Sequence, residues 1–494
     1  MERLNILMAS PEAVPYVKTG GLADVTGALP AALAALGCEV KVIIPLYKSI
    51  DRKKFKIAPS KGTAKDIKIK LGKNKFALKV FAAEPCSDGA QFIFVGCDKL
   101  FGRDGIYLDP KTGKDYPDND ERYAFFGKAV LETARAIDFK PDIIHLHDWQ
   151  SAMVSGYLTT LYKDDSFFAD SKTVFTIHNI GYQGHFKKTT FPKLGLPDKL
   201  FEYGSPFEYW EHVNYLKIGL MTSDLITTVS ETYAEEIRSG NEMGFGMEGI
   251  LTDRKDDLYG VLNGVDYDIW SPEKDSLIPY KFSKNNPTDK AKNKLALLEL
   301  AGFVDNGKRR PLIGVISRLA DQKGFDLIEK ITEDLFTHDL QLVLLGTGDE
   351  KYHALFEALE ELYPHKMKAF LKFDNKVAHL IEAGADMFLM PSLYEPCGLN
   401  QMYSLKYGTV PIVRETGGLA DTIIDYTKNP GEGNGFTFKD YDADLLYDAI
   451  KRALRTFEDP KAWQKIMQCG MTADHSWSAS AKRYLEIFQR AVGK

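Results

Sequence analysis

The hexapeptide Thr19-Gly20-Gly21-Leu22-Ala23-Asp24 returns letter for letter as Thr416-Gly417-Gly418-Leu419-Ala420-Asp421. Each copy follows a run that reads as a buried strand and opens a run with helical apolar spacing, once per half of the chain. Paired glycines there let backbone approach another group closely. The opening helix offers unpaired N–H groups to an anion or a sugar hydroxyl. Two such turns in corresponding places predict a cleft lined from both sides.

Outward from the first copy, Leu4 to Ala9 reads as a strand and Val25 to Leu36 as a helix that Gly37 ends. Val40–Ile44, Asp142–His147, Thr173–Ile177 and Leu225–Val229 follow as strands separated by helix-like segments, the rhythm of a parallel sheet covered on both faces. Ile67–Leu71, Phe76–Phe81 and Phe92–Val95 alternate more strictly and are expected as antiparallel strands at the edge. The pattern pauses at Asn263-Gly264-Val265-Asp266, and Trp270–Lys274 with Asn285-Asn286-Pro287 reads as a polar connector. The alternation restarts with Leu312–Ser317, then Leu340–Gly346, Ala369–Phe373, Met387–Met390 and Val410–Val413. The expectation is α/β: two Rossmann-like, doubly wound domains, 1–263 and 264–477. Ala479–Val492 is an amphipathic helix whose docking place the pattern leaves open.

Composition narrows the function. The 494 residues carry 63 Lys+Arg against 69 Asp+Glu, and a net charge of -6 argues against a general binder of nucleic acid or anionic membrane. The five cysteines, Cys38, Cys86, Cys97, Cys397 and Cys469, are odd in number and form no C-x-x-C pair. That disfavours a disulfide framework or structural zinc and suits a reducing compartment, the cytoplasm. The apolar run at the N-terminus is too short for a signal-peptide core, and no apolar stretch is long enough to span a membrane.

Charged and polar residues gather at strand ends, where open parallel sheets bind ligands. Lys18 directly precedes the first glycine turn, placed to meet a diphosphate. Arg318 and Lys323 flank a strand-to-helix loop and suit a clamp on a phosphoryl leaving group. Glu395-Pro396-Cys397-Gly398-Leu399 offers a carboxylate for sugar or ribose hydroxyls and a glycine where backbone donors could meet phosphate. Cys397 as a nucleophile lacks a dedicated His. His145 and His147 point the same way on a strand that exits at Asp148, with His178-Asn179 at a neighbouring strand end. A metal hydrolase would start this way, but no His-Glu-x-x-His or acidic ligand run accompanies it. Neither Gly-x-Gly-x-x-Gly after the first strand nor a P-loop is present, so hydride transfer and P-loop hydrolysis lose support.

Lys18-Thr-Gly-Gly-Leu22, His145-Leu-His-Asp-Trp149, Thr176-Ile-His-Asn179, Asn263-Gly-Val-Asp266, Glu395-Pro-Cys-Gly-Leu399 and Thr416-Gly-Gly-Leu-Ala-Asp421 together resemble the bacterial glycogen synthase and plant starch synthase family. The resemblance implies the GT-B architecture, two Rossmann-like domains facing a central cleft, with the C-terminal helix, 478–494, packing back onto the first. It implies retaining transfer of glucose from ADP-glucose to the non-reducing end of an α-1,4-glucan such as glycogen, with ADP released and no metal or other cofactor required. Carried over, the catalytic set is Asp148, His178, Arg318, Lys323 and Glu395. Arg318 and Lys323 neutralise the diphosphate, and Asp148, His178 and Glu395 hold the glucosyl unit. Glu12, Lys18, Gly20, Gly21, Tyr116 and Asn263 join the substrate-binding set, as do Cys397, Gly398, Leu399, Thr416, Gly417 and Gly418. Phe373 stands where relatives carry a Tyr stacked on adenine. Position 403, where wider relatives place a second Glu, is Tyr. Rival readings are a UDP-glucose-dependent relative, a non-catalytic glucan-binding protein and a metal-dependent hydrolase.

Overall fold

The computed structural model describes residues 3–60, 67–86, 89–305 and 307–493. Met1, Glu2 and Lys494, the ends of the expected first domain and last helix, lie outside them. The chain divides into two units. The first runs up to Val229, resumes for Ala234–Gly264 and takes in the chain from Trp477 onward; the second is Ser230–Tyr233 with Val265–Ser476.

The ten strands of the first unit's large sheet are, in chain order, β1 (Asn5–Ala9), β2 (Glu39–Pro45), β3 (Ala58–Pro59), β4 (Ile67–Leu71), β5 (Asn74–Ala82), β6 (Ala90–Gly96), β7 (Ile143–His147), β8 (Lys172–Ile177), β9 (Leu225–Thr228) and β10 (Leu258–Gly260). They order as β10-β9-β8-β7-β1-β2-β6-β5-β3, with β4 paired to β5. From β10 to β6 every pairing is parallel. Ile6, Leu7, Met8 and Ala9 of β1 are all fully buried, as a strand covered on both faces requires. The expectation of an antiparallel strand at Phe92–Val95 needs correction. β6 is antiparallel to β5 but parallel to β2, so the reversal falls one strand further out. β6 is buried along nearly its whole length, whereas β5 alternates exposed and buried. Helix α1 (Gly21–Ala35) follows β1 and gives way at Gly37, whose φ of 94° is the left-handed conformation that closes helices.

The second unit orders its strands as β13-β12-β11-β14-β15-β16, where β11 is Leu312–Ile316, β12 Gln341–Leu345, β13 Met367–Phe370, β14 Met387–Met390, β15 Val410–Arg414 and β16 Phe436–Phe438. Alternate residues go to opposite faces. Leu312, Val343, Leu345 and Phe388 pack with helices α2 (Lys290–Ala301) and α4 (Asn375–Gly384). Ile313, Val315, Leu342 and Leu344 pack with α3 (Phe325–Leu335) and α7 (Ala443–Phe457). Between these lie α5 (Asn400–Tyr407) and α6 (Gly417–Thr422). One expectation changes here, and the connector gains an anchor. The strand read to Phe373 stops at Phe370, leaving the Phe373 ring 88% exposed on the loop beyond. The polar connector is anchored: Asp275 is buried, accepting from Tyr407 Oη at 2.6 Å and lying 2.7 Å from His379 Nδ1.

Helix α8 (Trp477–Val492) belongs to the first unit. Trp477, Ser480, Ala481, Tyr484, Ile487, Phe488 and Ala491 form its buried stripe, at the spacing of one helix face. The Tyr484 and Phe488 rings lie 5.3 and 5.2 Å from His145 on β7.

Candidate active site

Strand order reverses between β1 and β7 in the first unit and between β11 and β14 in the second. At such a switch point the loops leaving adjacent carboxyl ends diverge and open a crevice. The candidate residues divide between these two places.

In the first unit, the loop after β1 folds around Glu12. Its buried carboxylate accepts from the backbone N–H and, at 2.7 Å, the hydroxyl of Thr19, and from the Tyr107 hydroxyl at 2.9 Å. Glu12 thus shapes the glycine turn from beneath. Gly20 caps α1 with nothing among the described residues within 4 Å of where a Cβ would stand, so this copy of the turn is open. Lys18 is exposed and paired with Asp24 of the same hexapeptide at 2.7 Å. Sequence pattern points to Tyr116, but its hydroxyl donates to the Asp104 carbonyl, and its ring lies under Arg103 and Arg122. The hydroxyl that reaches Glu12 belongs to Tyr107, whose carbonyl accepts the Tyr116 N–H. No motif marks Tyr107; only the pairing of the chain there reveals it.

At the exit of β7, Asp148 adopts φ 55°, an uncommon conformation that Asp tolerates better than most residues. Its Oδ1 accepts from the His178 N–H at 2.8 Å, joining the ends of β7 and β8. Burial pushes the Asp148 carboxyl up to about 7, with the Glu12 charge adding and the N–H groups of His178 and Asn179 opposing. His145 and His147 sit on one face of β7, ring centroids 4.1 Å apart, and His147 Nδ1 lies 3.0 Å from His178 Nε2. Burial lowers all three imidazoles, His145 and His178 to about 3. Among the described residues, no three His, Cys, Asp or Glu groups converge as a metal site. Asn263 is buried, and its Oδ1 has no hydrogen-bond partner among the described residues.

The raised Asp148 carboxyl has a consequence for stability. Below the ordinary value of 3.8 the folded and unfolded chains both hold the proton. As pH rises towards 7 only the unfolded chain gives it up, so the stability Asp148 contributes is lost through that window and is constant above it. Asp148→Asn removes the dependence. In urea titrations at about pH 5 and about pH 8 the variant is expected to gain on the parent at the higher pH. An equal difference at both pH values would rule out a raised carboxyl.

In the second unit, Arg318 leaves β11 exposed, its Nη2 3.4 Å from Gln322 Oε1, and Gln322 Nε2 donates to the Tyr394 carbonyl at 3.0 Å. Lys323 Nζ and Glu395 Oε2 form an ion pair at 2.6 Å, largely withdrawn from solvent, and the Ser392 hydroxyl donates to the same oxygen at 3.0 Å. Two residues read as separate ligand contacts therefore meet. Asn400 Nδ2 donates to the Ile316 carbonyl at 2.7 Å, tying the start of α5 to the end of β11. Leu399 is the N-cap of α5, and Gly398 has φ 70°.

The second copy of the hexapeptide differs from the first. A Cβ on Gly417 would stand 2.1 Å from the Glu395 carbonyl oxygen, and one on Gly418 2.0 Å from that of Cys397. The close approach that glycine permits is here made by the protein's own chain. Thr416 caps α6, and the Gly418 N–H donates to the Glu395 and Pro396 carbonyls. Cys397 is buried in this layer. Tyr403 lies flat on Trp270, centroids 4.0 Å apart, and Trp270 stacks on its other face against His379 at 3.8 Å. That position is thus filled by an aromatic stack.

Residues 5–253 match the family model described as starch synthase catalytic domain, and residues 303–468 the one described as glycosyl transferases group 1. Over 488 residues the chain is 45% identical to the glycogen synthase of Koribacter versatilis, covering 99% of this chain and 98% of that protein. It is 43% identical over 491 residues to the glycogen synthase of Geotalea daltonii, covering 99% of each. The solved catalytic domain of starch synthase IV from Arabidopsis thaliana, bound to ADP and acarbose, matches with a TM-score of 0.89 and 31% identity, covering 100% of both chains.

Proposed function

Because this chain belongs to the glycogen synthase and starch synthase family of GT-B glycosyltransferases, we propose that it transfers glucose from ADP-glucose to the non-reducing end of an α-1,4-glucan, retaining the anomeric configuration and releasing ADP. The observation that carries this reading is the Lys323–Glu395 pair beside Arg318 at the second unit's switch point. It gathers cationic charge for a diphosphate and a carboxylate for the sugar in one place. The ADP and acarbose held by the Arabidopsis relative support a nucleoside diphosphate donor and a glucan acceptor here. The open ring of Phe373 is available as a face for the base.

Retention by double displacement needs two carboxylates about 5–5.5 Å apart. With Tyr403 stacked on Trp270, Glu395 has no such partner from that position. The reading is therefore front-face substitution. The bond from the anomeric carbon to the diphosphate oxygen breaks with its electron pair leaving on ADP. The acceptor hydroxyl oxygen bonds to the same face, and its proton passes to the departing phosphate. Arg318 and Lys323 stabilise the negative charge that grows on the diphosphate, which is the largest protein contribution such a path requires. Asp148 and His178 hold the glucosyl hydroxyls, and Glu12, through Thr19, fixes the open Gly20-Gly21 turn.

The test is ADP release from ADP-glucose with glycogen present or absent, in the presence of a chelator, alongside UDP-glucose. Glycogen-dependent ADP release with α-1,4 chain growth is expected. Turnover with UDP-glucose alone would move the donor assignment. Loss of activity to the chelator would overturn the metal-free path, and glucan binding without release would leave a binding protein.

A further inference from the structure

The buried histidines behind His178 have a proton count that admits one arrangement. His147 is fully buried, its Nδ1 3.0 Å from His178 Nε2, while its own Nε2 has no hydrogen-bond partner among the described residues. One of the two facing nitrogens carries the shared proton. If His178 Nε2 donated, the His147 proton would sit on Nε2 as a buried N–H with no acceptor, a rare and costly arrangement. If His147 Nδ1 donates, only a lone pair is left unmatched. His145 obeys the same count. Its Nε2 lies 2.7 Å from Thr176 Oγ1 and its Nδ1 has no partner among the described residues, so Nε2 carries the proton, and the Thr176 hydroxyl can pass its own towards Thr227 Oγ1 at 2.6 Å. Burial keeps all three rings neutral, leaving one N–H to each. The rings are held rigidly: His145 packs against His147 on one side and against Tyr484 and Phe488 of α8 on the other.

We propose that His147 is a positioning residue that fixes His178 in the Nδ1–H tautomer, so that His178 meets the sugar as a hydrogen-bond donor. This rests on His178 contacting the glucosyl unit, as proposed above. His178 is the partly exposed member of the trio, and with Nε2 spent on His147, Nδ1 is the nitrogen left for a ligand. An imidazole committed as a donor needs no reorganisation to receive a hydroxyl oxygen.

Two readouts test it. In the full chain labelled with 15N-histidine, two-bond nitrogen–proton correlations report the tautomer of His178, identified by the signals that vanish in His178→Asn. Nδ1–H is expected; Nε2–H would overturn the proposal. In ADP-release assays, His147→Phe keeps a ring but loses the donor, and is expected to lower kcat about tenfold to hundredfold, by analogy with losing the outer hydrogen bond that orients a metal-bound imidazole. Its KM for the donor is expected to stay within about threefold. His147→Asn places an amide N–H near the lost Nδ1–H and is expected to recover most of kcat. A folded Phe variant with unchanged kcat, or an Asn variant as poor as Phe with the same melting transition, would overturn the positioning role. Should the parent chain leave ADP-glucose untouched, the proposed function fails, and the nitrogen spectrum alone then sustains or overturns the tautomer.

Discussion

Lys323→Ala is expected to lower kcat for ADP release by on the order of 10² or more, the cost seen when one preorganised charge-stabilising donor is removed from an active site. The structure adds a second loss. Lys323 is the counter-ion of Glu395, which keeps only the Ser392 hydroxyl on the same oxygen once the ammonium is gone. Breaking a withdrawn ion pair from one side costs about 3–5 kcal/mol, because the remaining charge is left uncompensated. Pairing the substitution with Glu395→Gln separates the two effects. The double variant should regain stability, since no buried charge is stranded, but not turnover, since the diphosphate still lacks its cation. Steady-state kinetics with urea titrations reads both. A folded Lys323→Ala enzyme with near-parental kcat would remove Lys323 from the reaction.

The repeated hexapeptide supplies the second large effect. Gly418→Ala would drive a methyl to 2.0 Å from the Cys397 carbonyl oxygen, which is backbone and cannot swing aside. The expected cost is about 3 kcal/mol, the upper end for overpacking a close-packed interior, with a fall in turnover because the displaced segment carries Glu395. Gly20→Ala enters open space from an extended backbone and is expected to cost about 1 kcal/mol or less, the difference between Gly and Ala at an N-cap. Equal costs at the two positions would show that the second turn opens in solution.

These two turns also mark how far the sequence can be read. Their letters are the same, and strand–turn–helix follows from them in both places. What surrounds each turn comes from distant chain: the 395–397 segment presses on Gly417 and Gly418, while none of the described residues comes within 4 Å of a Cβ on Gly20. The parallel cores of both units are legible because β1, β11 and β14 are nearly continuous apolar runs, while β7 keeps an apolar frame around His145 and His147. The Lys323–Glu395 pair is not legible, since its members lie 72 residues apart and no local period links them. Tyr107 escapes for the same reason, because its hydroxyl meets Glu12 across 95 residues and no motif marks it. The burial inside the polar connector after Asn263 is not legible, because a polar run does not say which of its carboxylates finds partners elsewhere in the chain. Asp275 is buried there because His379 and Tyr407 satisfy it.

The return of α8 to the first unit gives synthesis a direction. The ribosome completes every strand of the second unit before it makes Trp477–Val492. Until those residues emerge, the growing chain lacks Tyr484 and Phe488, the rings that pack against His145. A nascent first unit must wait through the translation of the whole second unit with that apolar surface uncovered, the state in which partly folded chains are most prone to associate. The Lys323–Glu395 pair of the second unit can thus be formed while the histidine trio is still unsealed, and α8 is the clasp that closes over it.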